Sequence, residues 1–428
     1  MAEEEAALAR FLERSHTASP RFLPRLVDET ARRMGLASAT VYLTDVQEEQ
    51  LVPLPGPGED EGETLAIEGT VAGRAYRTVS VQLSHHGPMA LWLPLVDGIA
   101  RIGVLHVAAD RITPELLDGA TQLAALTALT VVSKSGFSDL FSRVSRQRPM
   151  TTAAEMVWAF LPPRTLGTDR VTSAAALEPA YEIGGDAFDH GLDDGHLHLT
   201  VVDAMGHDLS SGLASAVALA GCRSTRRAGG TLSDIADRID DDLHRWQPGG
   251  LLTGVFARLD LETGQLTWIN AGHPPPLLIR AHHVVPGALE APGELPLGLG
   301  PGYPRSRTVH RVQLEPGDRV LVHTDGVTEA RSATGRQFGE DQLVDFVTRA
   351  LAAGEPAPEA LRRLVHAVLD RHDGRLQDDA TIVLAEWHPP DPSGRHEEPG
   401  PEAARTDPLP SRTTAPGDRA DHADHRTA

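Results

Sequence analysis

The sequence predicts an α+β protein, in which an N-terminal α/β module precedes an α-β-β-α sandwich of two antiparallel sheets flanked by helices. Three observations lead there. Helix and strand signals alternate from about Arg21 to residue 134. From about 171 to 387, short strand-like runs follow in hairpin order with helical stretches in pairs, the pattern of a sandwich covered on both faces. A chain of 428 residues also exceeds one ordinary core, so two modules plus appendages are expected.

Residues 1–17 read as an acidic N-terminal segment, and 18–134 as the first module. Within it Leu23 to Met34 is helix-like, Ala39 to Thr44 strand-like, and Glu59 to Glu63 an acidic loop. Ile67-Glu68-Gly69-Thr70-Val71-Ala72-Gly73-Arg74-Ala75-Tyr76 is a turn entering a short helix. Met89 to Leu95 and Ile102 to Val107 are strands joined by the hairpin signal Asp97-Gly98. A long helix begins near Pro114, with Leu116, Leu117, Leu123, Leu126 and Leu129 at helical spacing. The turn at 67–76 and the run Leu93 to Leu105 resemble a GAF domain, a small sensory module. The resemblance implies a regulatory role, through a small ligand in its pocket or through homodimerisation. His85, His86 and His106 lack metal-ligand spacing and read as surface or core residues.

Residues 135–163 read as a helical linker through Phe137, Leu140, Phe141, Val144 and Met156, ended by Leu161-Pro162-Pro163. The sandwich occupies 164–388. Expected strands are Val171 to Leu177, His196 to Val202, Leu252 to Leu261, Gln265 to Asn270, Pro276 to Val285, Arg307 to Leu314, Arg319 to His323 and Thr381 to Trp387. Expected helices are Leu209 to Arg226, Leu232 to Trp246, Gly339 to Leu351 and Pro358 to Arg371. The tail, 389–428, has almost no large apolar residue and is expected to be disordered.

Composition narrows the function. A net charge of −21 argues against nucleic acid or an anionic membrane as partner. No apolar run approaches the roughly 20 residues needed to span a bilayer, and the acidic start is unlike a signal peptide, so a cytoplasmic protein is expected. Cys222 is the only cysteine, which excludes internal disulfides and points to core packing. Lys134 is the only lysine, a sign of codon bias rather than of function.

The chemistry lies in four acidic segments: Glu182-Ile183-Gly184-Gly185-Asp186, Val202-Asp203-Ala204-Met205-Gly206-His207, His323-Thr324-Asp325-Gly326-Val327 and Gln377-Asp378-Asp379-Ala380-Thr381. Each sets an aspartate at the edge of a strand-like run beside a small residue, where backbone and solvent can approach an ion. One Asp-Gly is ordinary turn chemistry, whereas four at strand ends need a common cause. Aspartates gathered in one cleft repel, and bound cations remove that repulsion. Oxygen-only ligands favour Mg²⁺ or Mn²⁺ over zinc. Two such ions about 3.5–4 Å apart can share a carboxylate and activate a water for phosphate ester hydrolysis.

These segments, with Leu161-Pro162-Pro163, Thr253-Gly254-Val255-Phe256 and Asn270-Ala271-Gly272-His273-Pro274, resemble the SpoIIE-like branch of the type 2C, metal-dependent (PPM) protein serine/threonine phosphatases, over roughly residues 150 to 388. The resemblance implies that Asp203 bridges two Mn²⁺ or Mg²⁺ ions, that Asp186 ligates one of them, that Ala204 offers its carbonyl, and that Asp325 and Asp378 complete the site, with Asp379 a substitute for Asp378. The family usually has glycine at the position of Ala204, which matters only if φ is positive there. It commonly has glutamine where Val157 stands. Asn270 and His273 are expected to shape the cleft, and His207 to make a structural hydrogen bond. Asp189 and Asp208 are expected outside the metal set, while Asp193-Asp194-Gly195 and Asp240-Asp241-Asp242 read as surface features.

The implied activity is removal of phosphate from serine or threonine of a partner protein, by resemblance an anti-sigma-factor antagonist, under control of the GAF-like module. Two rival readings are a catalytically silent scaffold that binds a phosphoprotein or ligand, and a metal-dependent hydrolase of small phosphoesters. Retention of all four aspartates counts against the scaffold.

Overall fold

The computed structural model describes residues 2–389 except 59–61, 85–88, 183, 207, 301, 305–306, 331–336, 372–375 and 377. Part of the acidic loop, His85, His86, His207 and all but Pro389 of the expected tail therefore lie outside the described residues. The described chain belongs to one compact unit, Met1–Gly394.

The N-terminal part runs α1 (Ala2–Thr17), a 3₁₀ turn (Pro20–Phe22), α2 (Leu23–Arg33), β1 (Ser38–Thr44), β2 (Gln50–Pro53), β3 (Leu65–Ala66), α3 (Val71–Thr78), β4 (Gln82–Ser84), β5 (Ala90–Asp97), β6 (Ala100–Ala108) and α4 (Pro114–Ser135). Its strands form one antiparallel sheet in the order β3-β2-β1-β6-β5-β4. Alternation sorts the faces. Ala39, Val41 and Leu43 of β1 join a core with Leu26, Val27, Leu123 and Ala128 from α2 and α4, while Leu51 and Val104 pack with Ala72, Ala75 and Tyr76 of α3. The segment 1–17, read as merely acidic, is helix α1 and buries Ala7, Leu8 and Phe11 in that core. Glu3, Glu4 and Glu5 occupy its first turn, where the helix dipole favours anions.

Helix α4 has 22 residues and is long and apolar enough to cross a membrane by length and composition, a property that the run-length reading missed because Thr and Gly interrupt it. One side of it, including Ala120, Leu123, Ala124 and Val131, is buried in the N-terminal core. Residues 135–163 are not one helix. Ser138 caps α5 (Asp139–Ser145), and Thr151 caps α6 (Thr152–Phe160) after the break around Pro149. Val157 is buried in the core of the sandwich.

The sandwich continues with β7 (Thr165–Gly167), β8 (Val171–Glu178), β9 (Asp186–Asp193), β10 (His196–Ala204), α7 (Leu209–Arg227), α8 (Leu232–Trp246), β11 (Leu252–Asp260), β12 (Gln265–Ala271), β13 (Leu277–Arg280), β14 (His283–Val284), β15 (His310–Gln313), β16 (Arg319–His323), α9 (Asp325–Glu329), α10 (Gly339–Ala352), α11 (Ala357–Arg371) and β17 (Ala380–Trp387). Five strands pair in the order β15-β12-β11-β10-β9, and six in the order β14-β13-β16-β17-β8-β7, all antiparallel. Val320, Val322, Val383 and Ala385 face inward between the sheets. Their neighbours Leu321, Ile382 and Leu384 face outward onto Leu343, Val347, Leu361 and Leu364 of α10 and α11. Helices α7 and α8 cover the five-stranded sheet through Ala214, Ala218, Ile235 and Ile239, which completes the α-β-β-α order. The single strand expected over Pro276 to Val285 is a hairpin, because Ala281 and His282 take positive φ.

Candidate metal centre

Strands β9 and β10 pair so that Asp186 lies directly opposite Asp203, and on the other side of Asp203 stands Thr253 of β11. Two like charges facing across neighbouring strands are unfavourable. The six-stranded sheet brings its own acids to the same place. Asp325 follows β16, and Asp378 and Asp379 precede β17, the strand paired with it.

Hydroxyls tie the two sheets together. Thr324 and Thr381 each donate to Oδ2 of Asp186, both at 2.7 Å, and the Thr381 N–H donates to Thr324 Oγ1 at 2.9 Å. Asp379, expected as a substitute for Asp378, has one carboxylate oxygen already engaged. It is buried, and its Oδ2 accepts the N–H groups of Gly184 at 2.9 Å and Gly185 at 2.7 Å, which clamps the start of β9 to the start of β17. Asp378 is exposed, and its Oδ1 accepts the Asp379 N–H at 2.9 Å.

Close backbone approach fixes two glycines. A Cβ on Gly185 would stand 2.4 Å from the Ala204 carbonyl oxygen, and one on Gly326 would stand 1.9 Å from the Asp379 carbonyl oxygen. Ala204 is not among the positive-φ residues, so a side chain is tolerated there; Gly206 takes the left-handed conformation instead.

Electrostatics follow from this geometry. Burial, then Asp203 and Asp379, push the Asp186 carboxyl well above its ordinary value, against the two threonine hydrogen bonds. Asp203 is pushed up to about 7 by burial and by Asp325, Asp378 and Asp379, all acting in one direction. Asp325 is raised by burial and then by Asp378. The principal influences on these three include no cation. Among the described residues no group of three acidic, histidine or cysteine side chains stands as a ready-made metal cage. Asp186 and Asp379 have turned an oxygen each toward internal donors. The donor set, carboxylates plus the Ala204 carbonyl, still suits a hard divalent cation, and its self-repulsion is what such a cation relieves.

The remaining residues are structural. Asp189 is 2% exposed and paired with Arg223 at 2.6 Å and Arg226 at 2.7 Å, not solvated. Asp208 caps α7, accepting from Ser210 and Ser211. Asp240, read as a surface residue, is buried and accepts the Gly298 N–H at 2.7 Å. Asp194 and Gly195, both at positive φ, form the turn from β9 to β10. Cys222 is buried and free, and His106 is half-buried against Trp92. Sequence reasoning missed Thr253, Thr324 and Thr381. Their only signal was a hydroxyl residue within two positions of an aspartate or glycine in each motif.

Residues 193–388 match the Stage II sporulation protein E (SpoIIE) family. Over these residues the chain is similar to that family. The match contains Asp203, Asp325 and Asp378, while Asp186 lies just before it. Protein IcfG of Synechocystis sp. is 30% identical over 132 residues, 31% of this chain and 20% of that protein. Phosphoserine phosphatase RsbU of Bacillus subtilis is 23% identical over 207 residues, 48% of this chain and 60% of that protein. The chain thus spans less than two thirds of either relative. Among solved structures, the SiaA-PP2C domain of Pseudomonas aeruginosa aligns with a TM-score of 0.46 at 21% identity, over 55% of this chain and 93% of that one.

Proposed function

We propose that the SpoIIE-like domain is a metal-dependent protein serine/threonine phosphatase. In this reading it acts on a phosphorylated partner protein, an anti-sigma-factor antagonist by family resemblance, and the N-terminal module regulates it. The observation that carries the reading is the row of Asp186, buried, opposite Asp203, with Asp325 and Asp378 acting on Asp203 and no cation among its principal neighbours. The name of RsbU, a phosphoserine phosphatase, supports the choice of phosphoserine as substrate class.

Asp186, Asp203, Asp325, Asp378 and the Ala204 carbonyl would hold Mn²⁺ or Mg²⁺, two ions by resemblance. Such ions, when bound, neutralise phosphoryl oxygens and lower the pKa of a water. The protein's part is preorganisation. Thr324 and Thr381 hold one oxygen of Asp186 so that the other is aimed consistently, and Asp379 spends its charge on backbone N–H groups, fixing the loop that carries Asp186. Asp203, raised to about 7, must lose its proton to serve as a ligand, so metal affinity should rise with pH through that value.

Hydrolysis of a phosphoserine peptide by the full chain, with Mn²⁺ and then with chelator, tests this. Turnover that requires the ion and disappears in Asp203→Asn is expected. Turnover indifferent to both would refute the reading, and a marked preference for small aryl phosphates over phosphopeptides would transfer it to a small-molecule hydrolase.

A further inference from the structure

The turn after β12 holds a buried imidazole in a defined orientation. Asn270 closes the turn from both sides, its Nδ2 donating to the His273 carbonyl at 2.8 Å and its Oδ1 accepting the His273 N–H at 2.8 Å. The ring is 5% exposed. Its Nε2 lies 3.0 Å from the carbonyl oxygen of His323, and its Nδ1 lies 2.9 Å from the hydroxyl of Thr253. A carbonyl oxygen only accepts, so the proton sits on Nε2, Nδ1 accepts, and Thr253 donates. Burial also keeps the ring neutral, its pKa pushed down to about 3.

The two anchors are not ordinary core positions. Thr253 is the cross-strand partner of Asp203 in one sheet, and His323 precedes Asp325 by two residues at the end of β16 in the other. The imidazole therefore bridges the strand beside one acid to the strand end beside the other. A buried ring nitrogen is costly unless paired, and an apolar side chain would fill the space without that liability. Both nitrogens are paired, and both partners lie next to the acidic row.

We propose that His273 is a positioning residue which, through Thr253 and the His323 carbonyl, sets the separation of Asp203 and Asp325 across the cleft and thereby its affinity for a divalent ion. This rests on the phosphatase reading and deepens it, since neither residue need touch substrate. Thr253→Val is the sharpest probe, because it keeps the shape of the side chain and removes only the donor to Nδ1. His273→Leu removes both bonds, and His273→Gln restores a donor toward the His323 carbonyl.

The test is calorimetric titration of Mn²⁺ into the full chain, beside thermal melting of the metal-free protein. Thr253→Val should bind Mn²⁺ about 10–100-fold more weakly, the usual effect of losing a group that orients a ligand. His273→Gln should recover part of the affinity lost in His273→Leu, and turnover of Thr253→Val should return toward wild type at saturating Mn²⁺. Lower melting temperatures with Mn²⁺ affinity within about twofold of wild type would overturn the proposal and leave His273 a packing residue. If wild type binds Mn²⁺, Asp203→Asn does not, and Thr253→Val is unchanged, the positioning role alone fails. If wild type binds no Mn²⁺, the phosphatase reading fails and takes this proposal with it.

Discussion

Two of the places where the protein buries charge have opposite outcomes. Where the N-terminal sheet meets α11, Arg101 reaches Glu48 and Glu359, each at 2.6 Å, and stacks over Tyr76 at 4.7 Å. Arg362 holds Glu359 at 2.8 Å and also reaches Glu68, while the Tyr76 hydroxyl donates to Glu48 at 2.8 Å. Burial alone would raise Glu48, yet Arg101 and Arg164 outweigh it and hold its carboxyl below the ordinary value. In the cleft, burial meets further carboxylates and no cation, the two threonine hydrogen bonds to Asp186 do not offset them, and Asp186 and Asp203 go up. Burial pushes each acid up; the neighbouring charges outweigh that push in the seam and add to it in the cleft. The seam is complete with the protein's own cations, whereas in the proposed reading the cleft is completed by a cation from outside.

The contrast can be broken at several points, the largest first. Arg101→Met leaves Glu48 and Glu359 buried without their partner and should cost about 3–5 kcal/mol in chemical denaturation. A loss below about 1 kcal/mol would mean that the seam behaves like a surface pair. Gly326→Ala drives a Cβ into the Asp379 carbonyl, and overpacking of this kind costs about 1–3 kcal/mol. It should also impair hydrolysis, since it separates Asp325 from Asp378; unchanged turnover would contradict that.

Acidity gives a third test. Because Asp203 keeps its proton up to about 7 in the folded chain and only to about 4 when unfolded, the folded state binds more protons between those values. Stability of the metal-free protein should then fall as pH rises through that window, by up to about 1.4 kcal/mol per pH unit for this one group. Denaturation curves at a series of pH values in chelator would show it, and a rising contribution that Asp203→Asn removes would contradict it. The smallest effect has the opposite sign from the seam. Measured just above pH 4, where most of that loss has not yet set in, Asp203→Asn should stabilise the metal-free protein by only about 0.2–1 kcal/mol.

Much of this was legible in the sequence. Helix α8 and strand β16 begin and end where periodicity sets them, and the four aspartates announced themselves by lying at strand ends beside small residues. What was hidden depends on partners distant in sequence. Helix α1 reads as acidic because its glutamates outnumber the three residues that reach the core, and nothing local marks Phe11 as buried. Asp379 and Asp378 look interchangeable as neighbours in a motif, yet one faces the Gly184-Gly185 backbone and the other solvent. Asp240, in a run of three aspartates, owes its burial to Gly298 and Arg307, 58 and 67 positions along the chain. The hydroxyls of Thr324 and Thr381 acquire a role only once two sheets are stacked.

The most direct measurement is thermal melting of wild type and Asp203→Asn, with and without Mn²⁺. If the cleft is completed by a cation, Mn²⁺ at about 100 times its Kd should stabilise wild type by about 2.7 kcal/mol and leave Asp203→Asn unmoved. Equal shifts in both proteins, or none in wild type, would contradict the account.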